Sequence, residues 1–142
     1  MSVHFLEENR KETSLKRAAT KKWLLEVIRL EGFKPGVITY VFGSDEFLLG
    51  INNQFLKRDY YTDVISFDYT KDGIISGDII ISVDRVAENA IKMGFVYPEE
   101  LKRIMVHGLL HLIGYDDFTK DLKASMSGRE DFYLAMSGEV SK

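Results

Sequence analysis

The chain is 142 residues long, carries a net charge of −3 and is 45% hydrophobic and 12% aromatic with only two prolines; that balance excludes a disordered or linker-like chain and suits one domain, 1–142, with a buried core. It contains no cysteine, which excludes a disulfide-linked partner and the cysteine-rich sites that close structural zinc. Glu7 and Glu8 interrupt the N-terminus before any signal-peptide core can form, and no apolar run reaches membrane-spanning length, so the expected location is the cytoplasm with no membrane contact.

Residues 3–7 read as a short strand, and 14–31 as an amphipathic helix that turns Leu15, Ala18, Ala19, Leu24, Val27 and Ile28 inward and stops at Gly32. Dense β-branched and aromatic residues make 36–42 a strand. Ser44 is the expected N-cap of a helix reaching about Leu56, with Asp45 and Glu46 suited to its first turn. Residues 63–69 and 79–82 form two further strands, joined through the turn-like Lys71-Asp72-Gly73. A helix over 84–93 is closed by Gly94. Pro98, Glu99 and Glu100 open the next one, which carries His107 and His111, and a last helix covers 121–136. The order β-α-β-α-β-β-α-α-α predicts an α+β fold, a small mixed four-stranded sheet with about five helices packed on it.

The chemistry concentrates in one run, His107-Gly108-Leu109-Leu110-His111-Leu112-Ile113-Gly114-Tyr115-Asp116-Asp117. Two of the three histidines stand four apart, which on a helix stacks both imidazoles on one face with Cβ atoms about 5–6 Å apart. Gly114 is placed to end the helix in a left-handed conformation and turn the chain back, bringing Asp117 beside the rings. Two histidines and a carboxylate, His107, His111 and Asp117, leave a fourth position open for water, as catalytic zinc sites do, and the same donors also suit iron or another divalent metal. The apolar neighbours Ile104, Met105, Val106, Leu109 and Leu110 bury this helix, and buried imidazoles need partners. The third histidine, His4, lies in a strand-like stretch far from the run and is not expected as a ligand.

This run resembles the signature of the YbeY family of bacterial endoribonucleases, His-Gly-x-Leu-His-Leu-x-Gly-Tyr-Asp-His, at every fixed position except the last, where Asp117 replaces a histidine and keeps a metal-binding side chain. Two further blocks resemble the family's in the same order: Ile51-Asn52-Asn53-Gln54-Phe55 through Asp59 with Thr62-Asp63-Val64-Ile65-Ser66-Phe67, and Gly77-Asp78-Ile79-Ile80-Ile81-Ser82. The resemblance implies the same α+β fold and a zinc-dependent endoribonuclease that cuts single-stranded RNA. It further implies ribosomal RNA and the small ribosomal subunit as partners, late 16S rRNA 3′-end processing as the task, and a part in ribosome quality control. One departure bears on substrate grip: where the family carries an arginine after the aromatic, this chain has Leu56. Arg58, two residues on, is the available substrate-binding cation, although the resemblance does not make it equivalent.

A bound divalent ion lowers the pKa of its water from ~16 toward ~7 and stabilises charge developing on a phosphoryl or carbonyl oxygen. No general base stands out. Asp116 and Asp78 are carboxylates in matched blocks, and the better fit for both is structural, Asp116 holding the turn or orienting a ligand and Asp78 bonding locally. Two other readings stay open. The spacing also resembles the zinc motif of metzincin peptidases, which place a glutamate base where this chain has Gly108; and the ion could fix the fold of a non-enzymatic ribosome-associated factor. Basic residues cluster at Arg10, Lys11, Lys16, Arg17, Lys21 and Lys22, and at Lys57, Arg58, Lys102 and Arg103, against an acidic total that disfavours nucleic-acid binding by bulk electrostatics. Met126 and most of the aromatics are expected in the core.

Overall fold

The structure, a computed structural model, describes residues 2–8, 15–58 and 60–140, the last three of these as backbone only. Nine elements follow in order: β1 (Ser2–Glu7), α1 (Arg17–Leu30), β2 (Lys34–Gly43), α2 (Asp45–Leu56), β3 (Val64–Asp68), β4 (Ile74–Ser82), α3 (Val83–Met93), α4 (Tyr97–Ile113) and α5 (Lys120–Val140). The α+β architecture expected from the sequence is the one observed. The sheet order is β1-β2-β4-β3, with β1, β2 and β4 parallel and β3 antiparallel at one edge.

Local chemistry explains most boundaries. Ser44 and Ser82 cap α2 and α3, their hydroxyls accepting from the amides of Phe47 and Arg85 at 3.1 Å each. The β3–β4 turn holds Asp72 and Gly73 at φ of +54° and +76°, the pair of left-handed residues that matches the twist of a two-residue hairpin. β4 begins at Ile74, five residues before the expected start. Ser76, Gly77 and Asp78 are weak strand formers, but backbone pairing to Asp68 and Phe67 on one side and to Ile38 and Thr39 on the other overrides that weakness. The expected start of the first helix at Ser14 and the basic residues Arg10 and Lys11 lie outside the described residues. Ala18 is exposed, contrary to expectation, because the buried stripe of α1 runs through Thr20, Trp23, Leu24, Val27 and Ile28, and position 18 is out of phase with it at 100° per residue.

Most of the core lies on one face of the sheet, where Phe5, Ile38, Tyr40 and Phe42 meet side chains of α1, α4 and α5. Two large buried side chains on this face pair their polar atoms across elements: the Trp23 indole donates to the Tyr133 carbonyl and the Tyr40 hydroxyl to the Met105 carbonyl, both at 2.9 Å. Met126 is buried here as expected. The opposite face carries a smaller cluster, Leu48 of α2 on Ile65 and Ile80. α4 lies across β4 at close range because each element places a glycine at the contact, Gly108 on the helix and Gly77 on the strand. A Cβ on Gly108 would come within 2.7 Å of Ile79, and one on Gly77 within 2.9 Å of Leu112. Among the described residues no helix is long and apolar enough to cross a membrane.

Candidate metal centre

α4 presents His107 and His111 on one face, their ring centroids 4.6 Å apart. Gly114 ends the helix at φ +124°, a conformation that a side chain with a Cβ rarely adopts, and the amides of Gly114 and Tyr115 close the last turn on Leu110 and His111. The chain then doubles back and delivers Asp117. His107 Nε2 and His111 Nε2 are 3.1 Å apart, Asp117 Oδ2 is 3.5 Å from the first, and Asp117 Oδ1 is 3.7 Å from the second. A tetrahedral ion with ligand bonds of about 2.0–2.1 Å separates its ligand atoms by roughly 3.3 Å. One ligand atom from each of the three side chains lies within 4.8 Å of the other two, so they form a group that could hold a metal.

The far nitrogens of both rings are committed. His107 Nδ1 is 2.6 Å from Glu130 Oε2 and His111 Nδ1 is 2.9 Å from the carbonyl of Tyr115; both partners only accept, so both Nδ1 atoms carry the proton. Each Nε2 is left with its lone pair, and two lone pairs facing at this distance repel unless a proton or a cation stands between them. Burial alone would lower the His107 pKa, but the hydrogen bond to Glu130 and the charges of Glu130, Asp117 and Asp63 outweigh it and raise it. The same electrostatics that hold a proton here favour a cation. Glu130 is itself 5% exposed and paired with Arg103 at 2.8 Å, the carboxylate–histidine arrangement that orients metal ligands from behind.

The rings open onto a cavity of about 460 Å³ whose lining includes Asn52, Leu56, Arg58, Tyr60, Asp63 and Ser66 beside the three candidate ligands. Lys57 caps α2 in the left-handed conformation at φ 56°, which turns the chain so that Leu56 and Arg58 both border the cavity. Buried Asn52 fastens the following loop by donating to the Tyr60 carbonyl at 2.9 Å.

A sequence profile of the family described as endoribonuclease YbeY matches residues 5–138. The chain belongs to the YbeY family. Endoribonuclease YbeY of Bacteroides thetaiotaomicron is 40% identical over 136 residues, 96% of this chain and 99% of that one. The Parabacteroides distasonis protein of the same name is 40% identical over 139 residues, 98% of each. The solution structure of a Thermotoga maritima protein has the same fold, with a TM-score of 0.71, 25% identity, and coverage of 96% of this chain and 90% of that one.

Against the YbeY signature, the remaining sequence candidates separate by position. Asp116 is exposed and does not line the cavity. Asp78 alternates with Gly77 and Ile79, which face α4, so its carboxylate is on the opposite side of the sheet, where it accepts from the Tyr69 hydroxyl at 3.1 Å. His4, in the edge strand β1, bonds Ser2 at 2.7 Å. Arg103 is occupied by Glu130 and Asp131. Tyr60, Tyr61, Tyr69 and Phe95 are exposed rather than core. Gly108 faces Ile79, so the peptidase base has neither a residue nor room at that position.

Two acidic residues escaped the sequence reading. Glu130 lies in the last helix, and nothing in the spacing ties it to His107. Asp63 was visible only as a member of the second block. It lines the cavity, its carboxylate is held by Asn89 at 3.4 Å, and burial raises its pKa against the lowering effect of the backbone amides of Asp63 and Val64 and of the charges of His107 and Arg85. A carboxylate anchored in the wall of the cavity that also holds His107, His111 and Asp117 is within reach of a substrate bound there.

Proposed function

We propose that this chain is a metal-dependent endoribonuclease that cuts single-stranded RNA, acting in the cytoplasm on ribosomal RNA of the small subunit, with 16S 3′-end maturation and ribosome quality control as its setting. The observation that carries the metal dependence is the triangle of His107, His111 and Asp117, with both Nδ1 atoms occupied from behind and both Nε2 atoms free to coordinate. The name shared by the 40%-identical relatives supports the reaction. Zinc suits the donor set of two imidazoles and a carboxylate.

When bound, the ion supplies a Lewis acid for the phosphoryl oxygen and lowers the pKa of water. The rest of the reaction falls to side chains. Arg58 offers a guanidinium to the RNA backbone from the cavity edge, in place of the arginine that Leu56 displaces. Asp63 takes the proton of the attacking hydroxyl while the new P–O bond forms and the bond to the leaving nucleoside oxygen breaks, that oxygen taking its proton from solvent. Glu130 and the Tyr115 carbonyl keep the two rings aimed throughout.

The test is to incubate the zinc-loaded protein with single-stranded ribosomal RNA, a duplex of the same sequence and casein, alongside His111→Ala. Cleavage of the single strand that disappears in the variant is the expected result. Cleavage of casein instead would overturn the reading in favour of a peptidase. Cleavage of neither, with a large loss of thermal stability on chelation, would assign the ion a structural role.

A further inference from the structure

We propose that Glu31, acting through Tyr115, is a positioning residue for the metal centre: it holds the loop that delivers Asp117 and aims the ring of His111. This inference rests on the reading of His107, His111 and Asp117 as ligands.

Tyr115 is tied at both ends. Its carbonyl accepts from His111 Nδ1 at 2.9 Å, and its hydroxyl donates to Glu31 Oε1 at 2.7 Å, across 84 residues of sequence. Asp117, two residues on, is 39% exposed in its side chain and has no polar side-chain partner among the described residues besides the two imidazoles. The place of this third ligand is therefore set by the backbone of 114–117, and Tyr115 is what fastens that backbone to the body of the protein.

Glu31 is an improbable residue for its position on local grounds. It is the C-cap of α1, where the unpaired carbonyls of the helix end disfavour a carboxylate. Yet its side chain is only 10% exposed, the Tyr133 hydroxyl of α5 donates to its other oxygen, and the Arg129 guanidinium lies 4.0 Å away. An acid set against the local preference and then surrounded by donors marks a constraint from outside the helix. The constraint here is the strut Glu31–Tyr115–His111, which joins the first helix to the ligand loop.

The test measures zinc affinity by competition with a chromophoric chelator, and the visible spectrum of the cobalt-loaded protein, for wild type, Tyr115→Phe, Glu31→Ala and Tyr133→Phe. Tyr115→Phe keeps the ring and the carbonyl and loses only the hydroxyl, so the fold is retained. Zinc binding is expected to weaken about tenfold in Tyr115→Phe and Glu31→Ala, with an altered cobalt spectrum. Tyr133→Phe, which cuts the other bond to Glu31, should lower the melting temperature and leave zinc affinity as in wild type. Wild-type affinity and spectrum in Tyr115→Phe would overturn the proposal, as would equal losses in Tyr115→Phe and Tyr133→Phe, which would trace the effect to stability alone. Failure of the wild-type protein to bind zinc tightly would sink the ligand assignment itself, a different outcome.

Discussion

Glu100 lies two turns before His107 on α4, 1% exposed, with one carboxylate oxygen lacking any hydrogen bond. Burial raises its pKa; Arg103 lowers it and the charges of Asp63 and Glu130 raise it further. A folded-state value above the ordinary 4.5 means that the native chain holds this proton more tightly than the unfolded one, so stability falls as pH rises through the interval between the two values. Glu100→Gln has no such proton to lose. Measured against this variant in metal-free urea melts, wild type should lose stability as pH climbs from about 4.5 and level off above the folded-state value; parallel curves would show that the carboxyl is solvated. The same tertiary proximity explains what could be read at residue scale beforehand. His107, His111 and Asp117 fall within one helix and its cap, where 3.6-residue periodicity and a glycine stop fix geometry locally. Glu130, Asp63 and the Glu31–Tyr115 bond come from separate elements, and no local rule predicts which acid of a distant helix will meet a given ring.

α4 owes the placement of its histidines to its contact with β4. Alanine in a helix interior ordinarily gains up to about 1 kcal/mol over glycine, yet a Cβ at position 108 would meet Ile79 at 2.7 Å, well inside contact distance. Gly108→Ala should therefore destabilise the protein by about 1–3 kcal/mol, and the same substitution should cost less in an Ile79→Ala background, which lacks the Cγ2 methyl that the new Cβ meets. Thermal melts of the single and double variants check this; a stabilised Gly108→Ala would mean that the helix does not press on the strand. The existence and order of the elements were legible because capping serines, helix-ending glycines and the Asp72-Gly73 turn act within a few residues. The early half of β4 was not. Ser76-Gly77-Asp78 has no strand character of its own, and Gly77 is small because a helix lies over it, a reason invisible without the fold.

At the scale of the whole molecule, the candidate centre is where separate parts of the fold meet. α4 and its following loop bring the three candidate ligands, α5 brings Glu130, the C-cap of α1 reaches in through Glu31, and Asp63 stands just before β3. An ion held there binds only the assembled arrangement, since the unfolded chain has no reason to keep Asp117 near either ring, so its binding energy is folding energy. With free zinc at a hundred times Kd the gain is about 2.7 kcal/mol, which for a chain of this length corresponds to roughly 8–10 °C in melting temperature. The expected result is a melting temperature that climbs with zinc concentration, returns to its starting value on chelation, and does not respond to zinc in His111→Ala. A rise that persists in His111→Ala would place the stabilising ion elsewhere on the protein, and no rise at all would leave the two lone pairs of His107 and His111 to be reconciled by a proton.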